Sequence, residues 1–217
     1  MLFRSVARGY LGIIPRALTL EAGGLASRTR VDGGGGVSSN PLVREDAESQ
    51  AYSIYAGPTL ATNVGAVAIN GFARVGYNRF EISDAVSDSA GNPIDVFDDS
   101  VTYNGRITAS TRSGDPLPVG LAVTGGIFQE DISNLDQRVR DAFVRADVTV
   151  PVTPSLAIVG GVGYEDVEVS SRDALRDANG DPVLGADGRL VTDSASPRLI
   201  AFDVDGLLWD VGVLWRP

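Results

Sequence analysis

The chain has 217 residues, is 43% apolar, and carries a net charge of -10 with neither cysteine nor histidine. The acidic balance repels a polyphosphate partner and argues against nucleic acid, while the absent cysteine removes disulfides, thiolate metal sites and thiol nucleophiles. The absent histidine removes the commonest general base, the commonest zinc ligand and every serine-histidine triad, so ordinary hydrolase chemistry is not expected.

Strand-like alternation runs from one end of the chain to the other. A partial run, Val6 to Ile13, comes first. Leu18, Leu20, Ala22 and Ala26 then alternate with Thr19, Glu21, Gly23 and Ser27, and Tyr52, Ile54 and Ala56 with Ser53, Tyr55 and Gly57. Val67, Ile69, Gly71, Ala73, Val75 and Tyr77 oppose Asn70, Phe72, Arg74, Gly76 and Asn78, with Phe72 out of place on the polar side. Val101 to Ser110 alternates without a fault, turning Val101, Tyr103, Gly105, Ile107 and Ala109 one way and Thr102, Asn104, Arg106, Thr108 and Ser110 the other. Val119 to Ile127, Ala142 to Val150, Leu156 to Tyr164 and Leu207 to Trp215 complete about nine strands.

The connections alternate in length. Short ones, rich in Gly, Pro, Asn and Asp, lie at 14–17, 61–65, 113–116 and 152–155, and long ones cover roughly Val31 to Ala47, Asp84 to Asp99, Glu130 to Gln137 and Ser171 to Pro197. Short turns at one end and long polar loops at the other is the plan of bacterial outer-membrane barrels, so the expected fold class is all-β, an antiparallel up-and-down transmembrane β-barrel in a single domain. A decamer is about what a tilted strand needs to cross a bilayer, whereas the longest apolar run, Leu156 to Tyr164, falls far short of the roughly 20 residues of a membrane helix.

An arginine facing lipid at mid-bilayer costs about 2 to 4 kcal/mol, so a membrane barrel keeps its mid-strand charges on one face. Glu21, Arg74, Arg106, Arg145, Asp147 and Asp210 all obey and are the candidate lumen-facing residues. They either form a filter for solutes or pair across the lumen and plug it. Tyr52, Tyr77, Tyr103, Tyr164, Trp209 and Trp215 fall on the apolar face, several near strand ends, where amphipathic rings sit at lipid headgroups. A soluble β-sandwich or adhesin-like module also alternates, but its exposed face is usually richer in Lys and Glu and its inner face in larger side chains.

Other motifs carry less. Asp177, Asn179 and Asp181 have calcium-loop spacing, but Pro182 stands where glycine is needed and Gly188 where a bidentate Glu is required, so no metal is expected; Asn179-Gly180 and Asp187-Gly188 suggest a small surface hairpin instead. Gly33 to Gly36 lacks the strand, helix and lysine of a phosphate cradle and reads as loop. The acidic segment with Asp84, Asp88, Asp95, Asp98 and Asp99 is a solvated loop, or one bridged by divalent cations to lipopolysaccharide. No cofactor and no catalytic residue is expected. The 18 basic residues are all arginines, dispersed as in a GC-rich genome.

Several phrases carry a family resemblance: Ser170 to Ala174, Asp177 to Val183, Asp187 to Arg189 and Phe202 to Pro217, together with Leu20 to Ala26 and Asn134 to Arg138. In these the chain resembles uncharacterised outer-membrane β-barrel proteins of sphingomonad-type alphaproteobacteria, some of which are labelled as a preprotein translocase accessory subunit, itself a small single-span helical protein. The resemblance implies the outer membrane of a Gram-negative bacterium, contact with outer-membrane lipid and lipopolysaccharide, and the barrel-assembly machinery as a partner. It further implies a barrel running on past Trp215-Arg216-Pro217. With an odd strand number, a terminal proline where an aromatic is usual, and a start, Met1 to Ser5, that lacks a signal peptide, the expectation is a fragment cut at both ends. The function expected of the whole is a passive pore or structural envelope protein. The alternative is a filled barrel whose long loops bind a partner or lipopolysaccharide.

Overall fold

The structure, a computed structural model, describes residues 2–15, 17–30, 48–87, 93–111, 118–133, 136–185 and 190–215. They form β1 (Leu2–Ile14), β2 (Leu18–Arg30), β3 (Glu48–Val64), β4 (Val67–Ser87), β5 (Pro93–Thr111), β6 (Gly120–Ile132), β7 (Gln137–Thr153), β8 (Leu156–Ser171) and β9 (Leu199–Trp215). One sheet holds all nine in sequence order, and every neighbouring pair is antiparallel. This is the up-and-down order the alternating connections predict. The sheet is open: β1 and β9 are its edges and do not pair, so the closure a barrel requires is not made between the described strands.

Turn chemistry fixes the register at the short end. Val64 pairs with Val67 across Gly65-Ala66, and Gly65 has a φ of 60°, which glycine adopts without steric cost. Thr153 pairs with Leu156 across Pro154-Ser155, where the Ser155 amide donates to the Thr153 hydroxyl at 3.3 Å. The expected turn at 113–116 and the loop at Val31 to Ala47, with its four glycines, lie outside the described residues.

At the other end the strands overrun the loops expected of them. β4 and β5 reach Ser87 and Pro93, so most of the segment read as an Asp84–Asp99 loop is paired strand, and β6 and β7 are joined across 133–136 alone. The physical reason is that the outward face turns polar there: Arg79, Asp99, Asp131, Arg138, Asp166 and Asp205 stand on the face that is apolar lower down, so the apolar-outward pattern that marks the strands stops while the backbone ladder continues. The 171–198 connection also differs from the single hairpin expected. Bridges Ala174↔Thr192, Arg176↔Pro182 and Leu184↔Leu190 make a three-armed junction. At its centre Leu175, Val183 and Val191 each donate a backbone N–H to another's carbonyl in a closed ring, at 2.7 to 2.9 Å.

No apolar side chain among the described residues is buried; the buried polar ones are Glu21, Ser100, Thr124 and Ser170. Paired residues share a face, so the registers sort the side chains unambiguously. The apolar face carries Ile54, Val75, Ile107, Val123, Val144, Val162 and Val211, all more than 45% exposed.

Candidate functional site

The polar face gathers the six predicted charges into two clusters and one single residue. In the first cluster, Glu21 of β2 is only 4% exposed and accepts from Arg74 of β4 at 2.6 Å and from the Tyr55 hydroxyl of β3 at 2.9 Å, with Arg8 of β1 at 3.5 Å. The Arg74 guanidinium lies over Phe72, 4.5 Å from the ring centroid, and over Tyr55 at 5.2 Å. Phe72, which looked misplaced in the sequence, is thus a platform for an arginine. In the second cluster Arg145 of β7 pairs with Asp147 on its own strand at 2.7 Å and with Asp210 of β9. Between the clusters lies Arg106 of β5, over the Phe143 ring at 5.9 Å and with no carboxylate in ion-pair reach among the described residues.

Glycines opposite the large side chains make this surface possible. A Cβ on Gly23 would stand 2.7 Å from the Tyr55 ring, and one on Gly126 would stand 2.5 Å from Cε1 of Phe143. Both glycines face inward beside the ring they admit, so Tyr55 and Phe143 lie flat along the sheet rather than projecting from it.

A hydroxyl track fills the space between charges. Thr108 and Thr124 are 3.0 Å apart, and Ser100 donates to Glu130 at 2.5 Å while accepting from Asn78 at 3.2 Å. Every polar group so paired costs little to enclose.

The six predicted aromatics all stand on the apolar face. The hydroxyls of Tyr52, Tyr77 and Tyr164 point to the loop end, toward Gln50 at 2.5 Å, Asp99 at 3.3 Å and Asp205. Each tyrosine therefore marks the line where apolar surface gives way to polar surface. Tyr103 lies on the same face, paired with Gln129. Trp209 and Trp215 on β9 are 74% and 69% exposed.

At the loop end, Asp136 adopts a φ of 47° and receives both Arg172 at 2.9 Å and Arg198 at 2.6 Å, tying the β6–β7 turn to the base of the three-armed junction. Arg198 also donates to the Asp136 carbonyl at 2.7 Å. In the first arm the Asp177 carboxylate accepts from the Asp181 amide at 2.9 Å and the Asn179 amide at 2.8 Å, which holds its carboxyl below the usual aspartate range. Backbone amides occupy the oxygen that calcium spacing would have offered a metal. Arg8, Tyr55, Phe143 and the Asp136 clamp were not picked out by the sequence; the glycine standing opposite a future aromatic partner is visible there only once the register is known. The chain matches no protein family, no curated protein and no solved structure.

Proposed function

We propose that the sheet is the wall of an outer-membrane β-barrel, with its apolar face toward lipid and its charged face toward a water-filled lumen, acting as a passive pore. One observation carries the reading: the apolar face is bare and the burial is polar, the reverse of a water-soluble sheet, where the same area would have to be covered. The dimensions agree. From Val67 to Tyr77 the outward positions of β4 stay apolar, and at ~3.4 Å per residue with a ~40° tilt that band is about 26 Å tall, close to the ~25 Å of outer-membrane barrels. Tyrosines top the band, and strands continue above it with Arg, Asp and Glu on both faces, as they would in water beyond the headgroups.

Selection in such a pore follows from lumen width and inward charge, with no bond made or broken. The test is reconstitution. Discrete conductance steps in a planar bilayer, together with quenching of Trp209 and Trp215 fluorescence by brominated lipid, are expected. A protein that stays in solution without detergent and shows no quenching refutes the membrane reading; quenching without conductance under any salt refutes the pore alone. The second reading, a surface that binds a partner or lipopolysaccharide, is favoured by the Asp136 clamp, which holds two loops as one unit.

A further inference from the structure

The middle of the inward face carries Arg8, Arg74, Arg106 and Arg145, and carboxylates hold three of them. Among the described residues Arg106 alone of these has no ion pair: its guanidinium lies over the Phe143 ring, and no carboxylate among them reaches its N–H edge. Beside it is a recess of about 300 Å³ lined by Thr59, Asn70, Phe72, Arg106 and Thr108. The Thr59 hydroxyl is buried there and has no hydrogen-bond partner among the described residues. The Asn70 side-chain amide likewise makes no hydrogen bond among the described residues. Among the described residues, a buried hydroxyl and an exposed amide without hydrogen-bond partners and a cation without a counter-charge therefore line the same small space.

We propose that this recess binds the carboxylate of a small organic anion and is the selectivity site of the pore; the second half rests on the pore reading above. A guanidinium edge takes a carboxylate through two parallel hydrogen bonds, and the Thr59 and Asn70 groups can donate to the same anion or to a hydroxyl on it. The Phe72 ring supplies an apolar wall for its carbon skeleton. The volume sits at the lower end of ligand pockets, which favours acids of a few carbons. A single uncompensated cation suits a monocarboxylate better than a phosphate dianion, whose second charge would find the other arginines already engaged. The site opposes the chain's overall charge of -10, which by itself would draw cations.

The test is calorimetric titration of the detergent-solubilised full chain with sodium lactate, alongside Arg106→Gln, Thr59→Val and, on the opposite face, Arg140→Gln. Binding by the unaltered protein, at least tenfold weaker in Arg106→Gln, several-fold weaker in Thr59→Val and unchanged in Arg140→Gln, bears the site out. Lactate that does not bind the unaltered protein, or binds Arg106→Gln as tightly, overturns it. Bilayer recordings of the same samples separate the two layers: an anion-selective reversal potential lost in Arg106→Gln supports the selectivity role, a potential unmoved by that change refutes it, and absence of conductance with lactate binding intact removes the pore and leaves the site.

Discussion

Ile107→Arg tests the orientation of the whole sheet. Ile107 is 54% exposed on the apolar face and pairs with Gly71, midway along β4 between the Gly65-Ala66 turn and Tyr77, so in a barrel it meets lipid near the bilayer centre. Arginine there costs about 2 to 4 kcal/mol for the charge and about 1 kcal/mol for the lost isoleucine contact. The total of about 3 to 5 kcal/mol is a shift in the unfolding equilibrium of roughly a hundredfold to a few thousandfold. Val64→Arg is the matched control: Val64 is 64% exposed on the same face but adjoins the turn, where the charge costs about 0 to 1 kcal/mol. Urea unfolding from phospholipid vesicles, followed by the fluorescence of Trp209 and Trp215, reads both. On a water-exposed sheet the two substitutions would each fall within about 0.5 kcal/mol of no effect, and equal small shifts would refute the orientation.

Glu21→Ala should destabilise the protein by about 2 to 3 kcal/mol in the same assay, because it strands Arg74 and Arg8 and frees the Tyr55 hydroxyl together. Gly126→Val should cost about 1 to 3 kcal/mol by driving a side chain into the Phe143 ring, and a double-mutant cycle with Phe143→Ala should recover most of it; additive costs would mean the ring does not lie where the glycine admits it. Asp136→Asn keeps a residue that tolerates positive φ but loses the carboxylate that Arg172 and Arg198 share, so trypsin should cut after Arg176 faster than in the parent. The Asp177 turn should be pH-dependent: its folded carboxyl titrates below the unfolded value, so the turn's stabilisation is complete above the ordinary aspartate range and is lost as pH falls through the lowered folded pKa. The amide shifts of Asn179 and Asp181 should report that loss, and shifts that titrate at the ordinary aspartate pKa would refute the two hydrogen bonds.

The alternation located the strands only where one face is apolar and the other polar. At β5 from Val101 to Ser110 that contrast is complete, and the ladders with β4 and β6 keep the two faces the alternation predicts; at Asp98 and Asp99 carboxylates occupy both faces, the contrast is gone, and the alternation suggests a loop although the ladder with β4 continues. In β9 the contrast is inverted: Asp203 and Asp205 stand on the face that Leu207 and Trp209 keep apolar, with Phe202 and Val204 on the other, so they extend a strand whose apolar alternation begins at Leu207. Side-chain periodicity reports the environments of the two faces, whereas pairing is a property of the backbone, and the two coincide only while the environments differ.

The site was legible as a set of charges and not as an arrangement of them. On the membrane reading, confinement of Glu21, Arg74, Arg106, Arg145, Asp147 and Asp210 to one face follows from the cost of facing them toward lipid, and that cost is local to each strand. Which of them pair depends on distances between strands, set by a register that runs through every hairpin, so Arg74 and Arg106 looked equivalent in sequence although one sits on Glu21 and the other on a phenyl ring. In the proposed pore the filter and the plug that the sequence left level would each be present in part: the Glu21 and Arg145 clusters engage their arginines with carboxylates, as a plug would, and Arg106 has no carboxylate in ion-pair reach among the described residues. A pore wall built this way would discriminate at one point of its height, because a paired guanidinium offers an anion little that its own carboxylate does not already take.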